Sequence, residues 1–178
     1  MILLLGASAS GKTELAKYLF AHFHMVKAIT HTTRPMRVGE RQDVDYHFVS
    51  KERFLELKKQ DAFVETTEYN GNFYGCSKAE CGDEKCIILD PSGVAAFQRL
   101  NSSRIVTFFL RTRKDTREKR MRYRGDDETS IQKRLSGDDI TFDEARLPKV
   151  DYVIDCDEIA IDDLAEKVFD LYQKRLNS

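Results

Sequence analysis

The chain has 178 residues, of which 41% are hydrophobic and 33% are charged, and its formal net charge is −1. This length suits one domain with a hydrophobic core and is short for two. A net charge near zero excludes a general nucleic-acid coat protein, so no nucleic-acid partner is predicted. No apolar run is long enough to span a bilayer, which predicts a cytoplasmic protein without a membrane partner.

The first predicted strand, Ile2–Leu5, leads directly into the octapeptide GASASGKT. The octapeptide matches the phosphate-loop pattern G-x-x-x-x-G-K-[ST], and a helix is predicted after it from Lys12 to His24. In such a loop the backbone N–H groups surround phosphate oxygens, the lysine reaches the β- and γ-phosphates, and the hydroxyl binds Mg²⁺. A plain glycine turn is the alternative, and the flanking strand and helix argue against it. The predicted ATP- or GTP-binding residues are Gly6, Ala7, Ser8, Ala9, Ser10, Gly11, Lys12 and Thr13, with Thr13 as the metal ligand.

Beyond this loop, predicted strands and helices alternate, which is typical of an α/β fold with a parallel sheet flanked by helices. The further predicted strands are Cys86–Leu89, Arg104–Leu110 and Tyr152–Ile154. The further predicted helices are Gly93–Leu100, Thr112–Met121 and Ile161–Gln173. Thr112 and Asp115 are predicted to form a capping pair at the start of the second of these helices.

The cysteines are predicted to be free thiols, because cytoplasmic proteins rarely keep disulfides. They are Cys76, Cys81, Cys86 and Cys156. The first three follow one another at intervals of five residues, a spacing that suggests zinc as an alternative. That segment has neither a C-x-x-C pair nor a nearby histidine, so the zinc interpretation is the less favoured one.

Two stretches interrupt the alternation of strands and helices. The first, Thr30–Ser77, contains a polar loop, a strand-like Tyr46–Val49 and a short helix that Ser50 is predicted to cap. It ends in a predicted β-hairpin, formed by Phe63–Tyr69, the turn Asn70-Gly71 and Phe73–Ser77.

The second interruption, Tyr123–Glu128, is a glycine-containing polar link between two helices. Phosphoryl transfer needs positive charge over the transferred group and exclusion of water. Arg120, Arg124 and Arg134 are placed to supply that charge beside a link that closes like a lid. Four further basic side chains of this region are predicted to form a solvated helix face, namely Arg113, Lys114, Arg117 and Lys119.

The first interruption also holds candidate binding residues: Arg34, Arg37, Arg41, Tyr46, Glu65 and Tyr74. Arginines and tyrosines bind a phosphate through charge-assisted and hydroxyl hydrogen bonds. Glu65 follows the apolar segment Ala62–Val64, and a carboxylate on a half-buried strand needs donors. The N1–H and N2–H groups of a guanine and a neighbouring arginine are the two alternatives that the residues leave open.

Four segments, in order along most of the chain, resemble guanylate kinases, the enzymes that pass the γ-phosphate of ATP to GMP. They are GASASGKT at Gly6–Thr13, THTTRPMRVGERQDVDYHFVS at Thr30–Ser50, FVETTEYNGNFYG at Phe63–Gly75 and RGDDETSIQKRL at Arg124–Leu135. The resemblance implies a three-part phosphate-loop kinase with a parallel core sheet, a small nucleotide-monophosphate-binding region and a helical lid. We therefore expect a single domain over 1–178, with a core at 1–29, 78–119 and 138–178, a GMP-binding region at 30–77 and a lid at about 120–137.

The resemblance also implies roles for individual residues. The GMP phosphate is expected at Arg34, Arg37, Tyr46 and Tyr74, and guanine N1 and N2 are expected at Glu65. The implied catalytic residues are Lys12, Arg34, Arg120, Arg124 and Arg134. The implied GMP-binding residues are Thr30, Arg34, Arg37, Tyr46, Glu65, Tyr74, Cys76 and Asp90.

Several positions depart from the family pattern. Cys76 stands where a serine or threonine hydroxyl usually reaches the guanine carbonyl, and a thiol is a weaker donor. Of a usual pair of aspartates only Asp90 remains, with Ile88 at the other position. Cys156 stands where an asparagine near the adenine is frequent, and Thr30 replaces the usual serine.

The predicted function is therefore phosphorylation of GMP, or of dGMP, by ATP with Mg²⁺, in a monomer or homodimer whose partners are these nucleotides. A kinase of another nucleoside monophosphate, or of another small phosphorylated substrate, is the alternative that Cys76 and Ile88 leave open. A non-catalytic binding module on the same fold is disfavoured, because Gly11, Lys12, Thr13 and the lid arginines are all present.

Overall fold

The computed structural model describes residues 1–69 and 71–177. Its strands, in chain order, are β1 (Ile2–Leu5), β2 (Val26–Lys27), β3 (His31–Thr32), β4 (His47–Phe48), β5 (Phe63–Tyr69), β6 (Asn72–Ser77), β7 (Lys85–Ile88), β8 (Val106–Arg111) and β9 (Tyr152–Asp155). Its α-helices are α1 (Lys12–His22), α2 (Lys51–Lys59), α3 (Pro91–Gln98), α4 (Lys114–Tyr123), α5 (Glu128–Thr141) and α6 (Ile161–Leu176). A 3₁₀ turn spans Lys78–Glu80.

The core sheet is parallel throughout and has the strand order β2-β7-β1-β8-β9. β1 lies at its centre, where Leu4 is opposite Ile88 on β7 and Phe108 on β8. All four residues of β1 are buried, because helices cover both faces of the sheet, and this explains the uninterrupted apolar run in the sequence. The predicted α/β fold with a parallel, helix-flanked sheet is confirmed.

Two helix layers enclose the core sheet. On one face α1 and α6 pack together, burying Leu15, Leu19 and Val168 against the sheet. On the other face Val94 and Phe97 of α3 are fully buried against β1 and its neighbours. Burial of each such side chain contributes roughly 1.5–3 kcal/mol. These layers hold β1 rigidly, and with β1 the loop that follows it.

The second sheet has the order β4-β3-β6-β5. β5 and β6 form the predicted antiparallel hairpin, although Asn70 of the predicted turn lies outside the described residues. Phe54 of α2 stacks on the rings of Phe63 and Phe73, which attaches that helix to the hairpin. Ser50 caps α2 as predicted, since its hydroxyl oxygen accepts the backbone N–H of Arg53 at 3.1 Å.

The predicted capping pair of Thr112 and Asp115 is wrong. Helix α4 begins at Lys114, and its N-cap residue, Arg113, makes no side-chain capping bond. The Thr112 hydroxyl instead donates to the carbonyl oxygen of Ser10 at 3.5 Å. The N–H of Arg113 is accepted by Asp157, which is distant in the sequence. Tertiary contacts therefore override the local capping signal.

The remaining differences concern helix ends and very short strands. α3 begins at Pro91, two residues before the predicted start, because the Asp90 carboxylate accepts the N–H of Gly93 at 2.7 Å and caps the helix. α1 ends at His22 and α6 continues to Leu176. β2 and β3 have two residues each, which is too short for a recognisable hydrophobic period.

Over residues 1–69 and 71–177, no helix combines the length and apolar character that crossing a bilayer requires.

The four cysteines are free thiols. Cys86 is buried with α1 and α6 on one face of the core sheet, whereas Cys76 and Cys81 lie in the apolar cluster on the other face. Within the described residues no group of three histidine, cysteine or acidic side chains is arranged to hold a metal.

Candidate active site

The phosphate loop, residues 6–13, joins the carboxyl end of β1 to the start of α1. Gly6 permits a close approach of backbones, since a Cβ at this position would lie 2.7 Å from the carbonyl oxygen of Leu110. Gly11 is the N-cap of α1 and has a φ of 103°, a value that favours glycine. No side chain caps α1, so the N–H groups of its first turn are directed at whatever anion enters the loop.

Lys12 is folded back over this loop. Its Nζ donates to the carbonyl oxygens of Gly6 and Ala7 at 2.6 and 2.7 Å and to Ser10 Oγ at 3.3 Å. Burial lowers the pKa of the ammonium group to about 8, while the charge of Asp138 acts in the opposite direction. The amine thus lies at the centre of the loop, where positive charge serves a phosphate.

A cavity of about 690 Å³ opens beside the loop, a volume typical of small-molecule sites. The polar part of its wall includes residues 9–13, Arg120 and Arg124, and also Glu14, Lys17 and His22 of α1. The apolar part includes Cys156, Ile159, Ile161 and Leu164. A phosphate-binding end next to an apolar end suits a nucleotide, whose base stacks on apolar atoms.

Arg120 connects the loop to the end of the core sheet. Its Nη1 donates to the carbonyl oxygen of Ala9 at 3.2 Å, and its Nη2 donates to that of Cys156 at 2.6 Å. The guanidinium is therefore fixed at the cavity wall by two backbone oxygens. The side chain of Cys156 is buried, and burial raises the pKa of its thiol to about 11.

Arg124 and Arg134 meet at one carboxylate. Arg124 Nε donates to Asp126 Oδ1 at 3.0 Å, a second bond joins Arg124 Nη2 to Oδ2, and Arg134 Nη1 donates to Oδ2 at 2.9 Å. Both guanidinium groups are about half exposed, and the Arg124 bond lowers the pKa of Asp126. Two of the predicted catalytic arginines are thus adjacent, at the junction of α4 and α5.

The prediction of a solvated helix face is wrong for Arg117 and is confirmed for Arg113, Lys114 and Lys119. Arg113, Lys114 and Lys119 are exposed, as a solvated helix face requires. The Arg117 side chain is only 6% exposed, and its Nη1 donates to Asp138 Oδ2 at 2.9 Å. The buried position follows from this partner on α5, because a guanidinium enters a protein interior only when it is paired.

A second cluster lies on the loop before β4 and on the second sheet. Arg34 makes a two-pronged ion pair with Glu40, with N–O distances of 2.7 and 3.0 Å. Its guanidinium carbon lies 5.5 Å from the centre of the Tyr46 ring, and the rings of Tyr46 and Tyr74 are 6.2 Å apart. The structure thereby brings together three of the residues predicted to bind a phosphate. The Glu40 bond raises the pKa of Arg34 further, so the guanidinium is permanently charged.

Arg37 and Arg41, unlike Arg34, are exposed. The contacts of Arg37 involve Glu40. Its backbone N–H donates to Glu40 at 2.7 Å, and its charge helps to lower the pKa of that carboxylate. The Arg34 and Arg37 charges therefore share Glu40 as their partner in the loop.

Glu65 lies on β5 opposite Cys76 on β6. Glu65 Oε1 accepts the backbone N–H of Cys76 at 3.1 Å, so the interpretation of Glu65 as half of an arginine ion pair finds no support among the described residues. Burial raises the pKa of the Glu65 carboxyl, and the charge of Asp90 adds to the effect. Cys76 itself is fully buried in an apolar cluster, and burial raises the pKa of its thiol strongly.

A smaller cavity of about 390 Å³ separates the phosphate loop from the second cluster. Thr13 of the loop, Thr30 and Tyr46 all line it, and so does Ile88 at the end of β7. Asp90, two residues after Ile88, is exposed and serves as the N-cap of α3. The cavity places the triphosphate side and the predicted acceptor side next to each other.

Sequence reasoning missed three carboxylates that organise the basic groups: Glu40, Asp126 and Asp138. Each binds an arginine directly, as Arg34, Arg124 and Arg117 show. Asp126 could have been identified from its position two residues after Arg124. Glu40 lies in an irregular loop and Asp138 is on another helix than its partner, so neither had a local signal.

Three features define the class of protein: a parallel core sheet, a phosphate loop in contact with the arginine-bearing helices α4 and α5, and a cluster of arginine and tyrosine side chains across a shared cavity. Together they are typical of a phosphate-loop kinase of the nucleoside-monophosphate class. A family model described as guanylate kinase matches residues 1–174. A guanylate kinase of Neisseria gonorrhoeae is 36% identical over 144 residues, covering 76% of this chain and 70% of that protein. A guanylate kinase of Thermus thermophilus is 31% identical over 161 residues, covering 86% and 72% of the two chains.

The crystal structure of a guanylate kinase from Anaplasma phagocytophilum superposes with a TM-score of 0.64 at 25% identity, covering 98% of this chain and 85% of that one. The chain therefore belongs to the guanylate kinase family. The prediction made from the sequence motifs is confirmed at the level of family, fold and enzyme class.

Proposed function

We propose that the protein transfers the γ-phosphoryl group of ATP to GMP, forming ADP and GDP. One observation carries the proposal: a single cavity is lined both by Thr13 of the phosphate loop and by Thr30 and Tyr46 of the acceptor cluster. In the reaction a phosphate oxygen of GMP bonds to the γ-phosphorus, and the bond from that phosphorus to the β-phosphate oxygen breaks. No general base is required, because the attacking phosphate is already anionic.

We assign the triphosphate to residues 6–13 and the larger cavity. Lys12 exchanges its backbone acceptors for β- and γ-phosphate oxygens, and the first-turn N–H groups of α1 add further donors. Arg120 is held at the cavity wall, whereas Arg124 and Arg134 are held by Asp126 at the junction of α4 and α5. Their charge stabilises the transferring phosphoryl group in the transition state.

The residues of the loop fit a magnesium ion. Thr13 lines both cavities at the start of α1, and Mg²⁺ takes few protein oxygens together with phosphates and water. Thr13 would hold the ion, which when bound neutralises charge on the β- and γ-phosphates. Ile88 provides no carboxylate beside Thr13, so the phosphates and water supply the remaining ligands in this proposal.

We assign the acceptor to the second cluster. Arg34, with Arg37, Tyr46 and Tyr74, binds the GMP phosphate, and the two-pronged pair that Arg34 makes with Glu40 supports this role, because a phosphate accepts in the same geometry. Glu65 accepts from guanine N1–H and N2–H, supported by a half-buried carboxylate without a cationic partner among the described residues.

The other acceptor residues lie around this base site. Thr30 lines the smaller cavity, and Asp90 is near enough to Glu65 to influence its pKa. Cys76 contributes the N–H that orients Glu65, since its thiol is directed into the core.

We further propose the division into a core, a GMP-binding region at 30–77 and a lid at about 120–137 within one domain. The cytoplasm is the proposed location, because ATP and GMP are found there and the cysteines are thiols.

The test is an assay of ADP release from ATP and Mg²⁺ against GMP, dGMP, AMP, UMP and CMP. We expect turnover with GMP and dGMP alone, and a loss of about 10²–10³-fold in kcat for Lys12→Ala with an unchanged melting temperature. Activity confined to AMP or a pyrimidine nucleotide would overturn the role of Glu65. Wild-type turnover by Lys12→Ala would overturn the assignment of the loop.

A further inference from the structure

The carboxylate of Asp138 on α5 binds the phosphate loop directly. Its Oδ2 accepts the backbone N–H of Ser8 at 2.9 Å, and its Oδ1 accepts the Ser8 hydroxyl at 3.3 Å. The contact spans 130 residues of sequence, and the Asp138 side chain is only 11% exposed. A charged acceptor on a backbone N–H forms one of the stronger kinds of hydrogen bond, so it fixes the direction in which the Ser8 peptide points.

The same part of the loop is strained and is held from above by α4 and α5. Ala9 has a φ of 60°, a conformation that non-glycine residues adopt only when their surroundings impose it. The Ala9 methyl group packs on a buried cluster of the two helices, formed by Met121, Ile131 and Leu135. Its carbonyl oxygen accepts from Arg120. Three contacts therefore hold the Ser8–Ala9 peptides in place: the Asp138 carboxylate, the apolar cluster of the two helices, and Arg120. Because the chain is continuous, they also determine the orientation of the loop N–H groups that follow.

Arg117 is the countercharge of Asp138. The pair is almost fully buried, and Arg117 Nη2 lies 3.8 Å from Asp139, the next residue along α5. Arg117 Nε is a buried donor for which no hydrogen-bond partner is found in the described part of the chain. A buried polar group left incompletely satisfied requires a reason beyond packing, and Arg117 binds the same Asp138 Oδ2 that accepts the N–H of Ser8.

We propose that Asp138, paired with Arg117, is a positioning residue that sets the affinity for the triphosphate by orienting the Ser8–Ala9 segment of the phosphate loop. It touches neither nucleotide and acts through the loop. This inference rests on the proposed assignment of ATP to the loop. It adds that α5, which also carries Arg134, contributes to nucleotide binding at its carboxyl half.

The test measures ADP binding by calorimetry, in addition to the KM values for ATP and GMP. The double variant Arg117→Met/Asp138→Ala removes the Ser8 acceptor and leaves no unpaired buried charge, so it is expected to fold. We expect its Kd for ADP and its KM for ATP to rise about tenfold, the usual effect of losing a charge-assisted hydrogen bond, while the KM for GMP stays within twofold. Asp138→Asn keeps an acceptor oxygen and is expected to recover most of the affinity.

Asp139→Asn is the matched control, because it removes the same charge one residue away, at an exposed side chain paired with Lys114. We expect it to bind ADP as the wild type does. Wild-type ADP affinity in the folded double variant would overturn the proposal, as would equal weakening by the double variant and by Asp139→Asn, or equal rises in the KM for ATP and GMP. Because ADP binding needs no acceptor, failure of GMP phosphorylation with intact ADP binding would contradict the proposed function alone.

Discussion

Glu65 and Cys76 face each other across the hairpin of the second sheet, and the carboxylate of Glu65 accepts the backbone N–H of Cys76 at 3.1 Å. One oxygen is thereby fixed while the side chain carries a raised pKa, because the group is half-buried. A carboxylate held in this way is costly to the folded protein and useful to a ligand that brings donors. The pair therefore allows binding and stability to be tested separately.

The substitution Glu65→Gln is expected to raise the KM for GMP about 100-fold, since each hydrogen bond to a charged group contributes roughly 1.5–3 kcal/mol. It is also expected to raise the melting temperature at pH 7, because a buried negative charge is removed while the Cys76 N–H keeps an acceptor. Steady-state kinetics and calorimetry check the two effects. Glu68→Gln, an exposed site on the same strand, is the control and should change neither quantity.

The raised pKa of Glu65 also predicts how activity and stability depend on pH. The folded pKa of Glu65 is raised, so its ionised form is lost at a higher pH than for an ordinary glutamate as the solution is acidified. Because guanine N–H donors require the ionised form, kcat/KM for GMP is expected to fall as the pH drops through this raised pKa. The free energy of unfolding changes in the opposite direction, because ionising the buried Glu65 destabilises the folded protein as the pH rises. Glu65→Gln is therefore expected to stabilise the protein at neutral pH and not at acidic pH. A pH profile of kcat/KM that is the same for wild type and Glu65→Gln would contradict the assignment.

Arg34→Lys tests the acceptor phosphate site. A lysine keeps the charge but lacks the fork that makes two parallel bonds, as Arg34 does with Glu40. We expect the KM for GMP to rise about tenfold or more, with the KM for ATP nearly unchanged. Arg53→Lys, on an exposed ion pair of α2, is the comparison and should leave both constants at the wild-type level.

Asp90 has two separable roles, one as the N-cap of α3 and one as a proposed contact of the acceptor. Asp90→Ser retains a capping oxygen, whereas Asp90→Ala loses it at a cost of about 1 kcal/mol. We therefore expect Asp90→Ser to keep the melting temperature and still raise the KM for GMP. If Asp90→Ser shows wild-type kinetics, Asp90 acts on the helix alone, and thermal unfolding with GMP titration distinguishes the two results.

The sequence contained enough information for the phosphate loop and for four strands of the core sheet, β1, β7, β8 and β9, but not for the two-residue β2. Ile2–Leu5 is buried on both faces, so its apolar run identifies a central strand, and a glycine is needed at position 6 because Leu110 approaches so closely. The hairpin was also predictable, since Phe63–Tyr69 and Asn72–Ser77 carry strand-forming residues around a turn signal. In each case the signal is local.

The rest depended on contacts between distant parts of the chain. Thr112 resembles a helix cap, yet Asp157 takes up the N–H that starts the helix, 44 residues later. Arg117 resembles its exposed neighbours, and only Asp138, 21 residues away, explains its burial. Position and spacing in the sequence carry no information on such pairs, because the fold creates the neighbourhood.

Arg117 and Arg120 of α4 and its C-cap residue Arg124 are spaced to lie on one side of the helix, and each binds a different group: Asp138 on α5, the carbonyl oxygen of Ala9, and Asp126. A helix advances by about 100° for each residue. One residue added between Arg117 and Arg124 would turn the later side chain about a quarter of a circle away from the nucleotide cavity, although every amino acid of the site would still be there. In this stretch of the chain, an insertion or deletion therefore displaces the site more than the exchange of a residue that lies between the arginines.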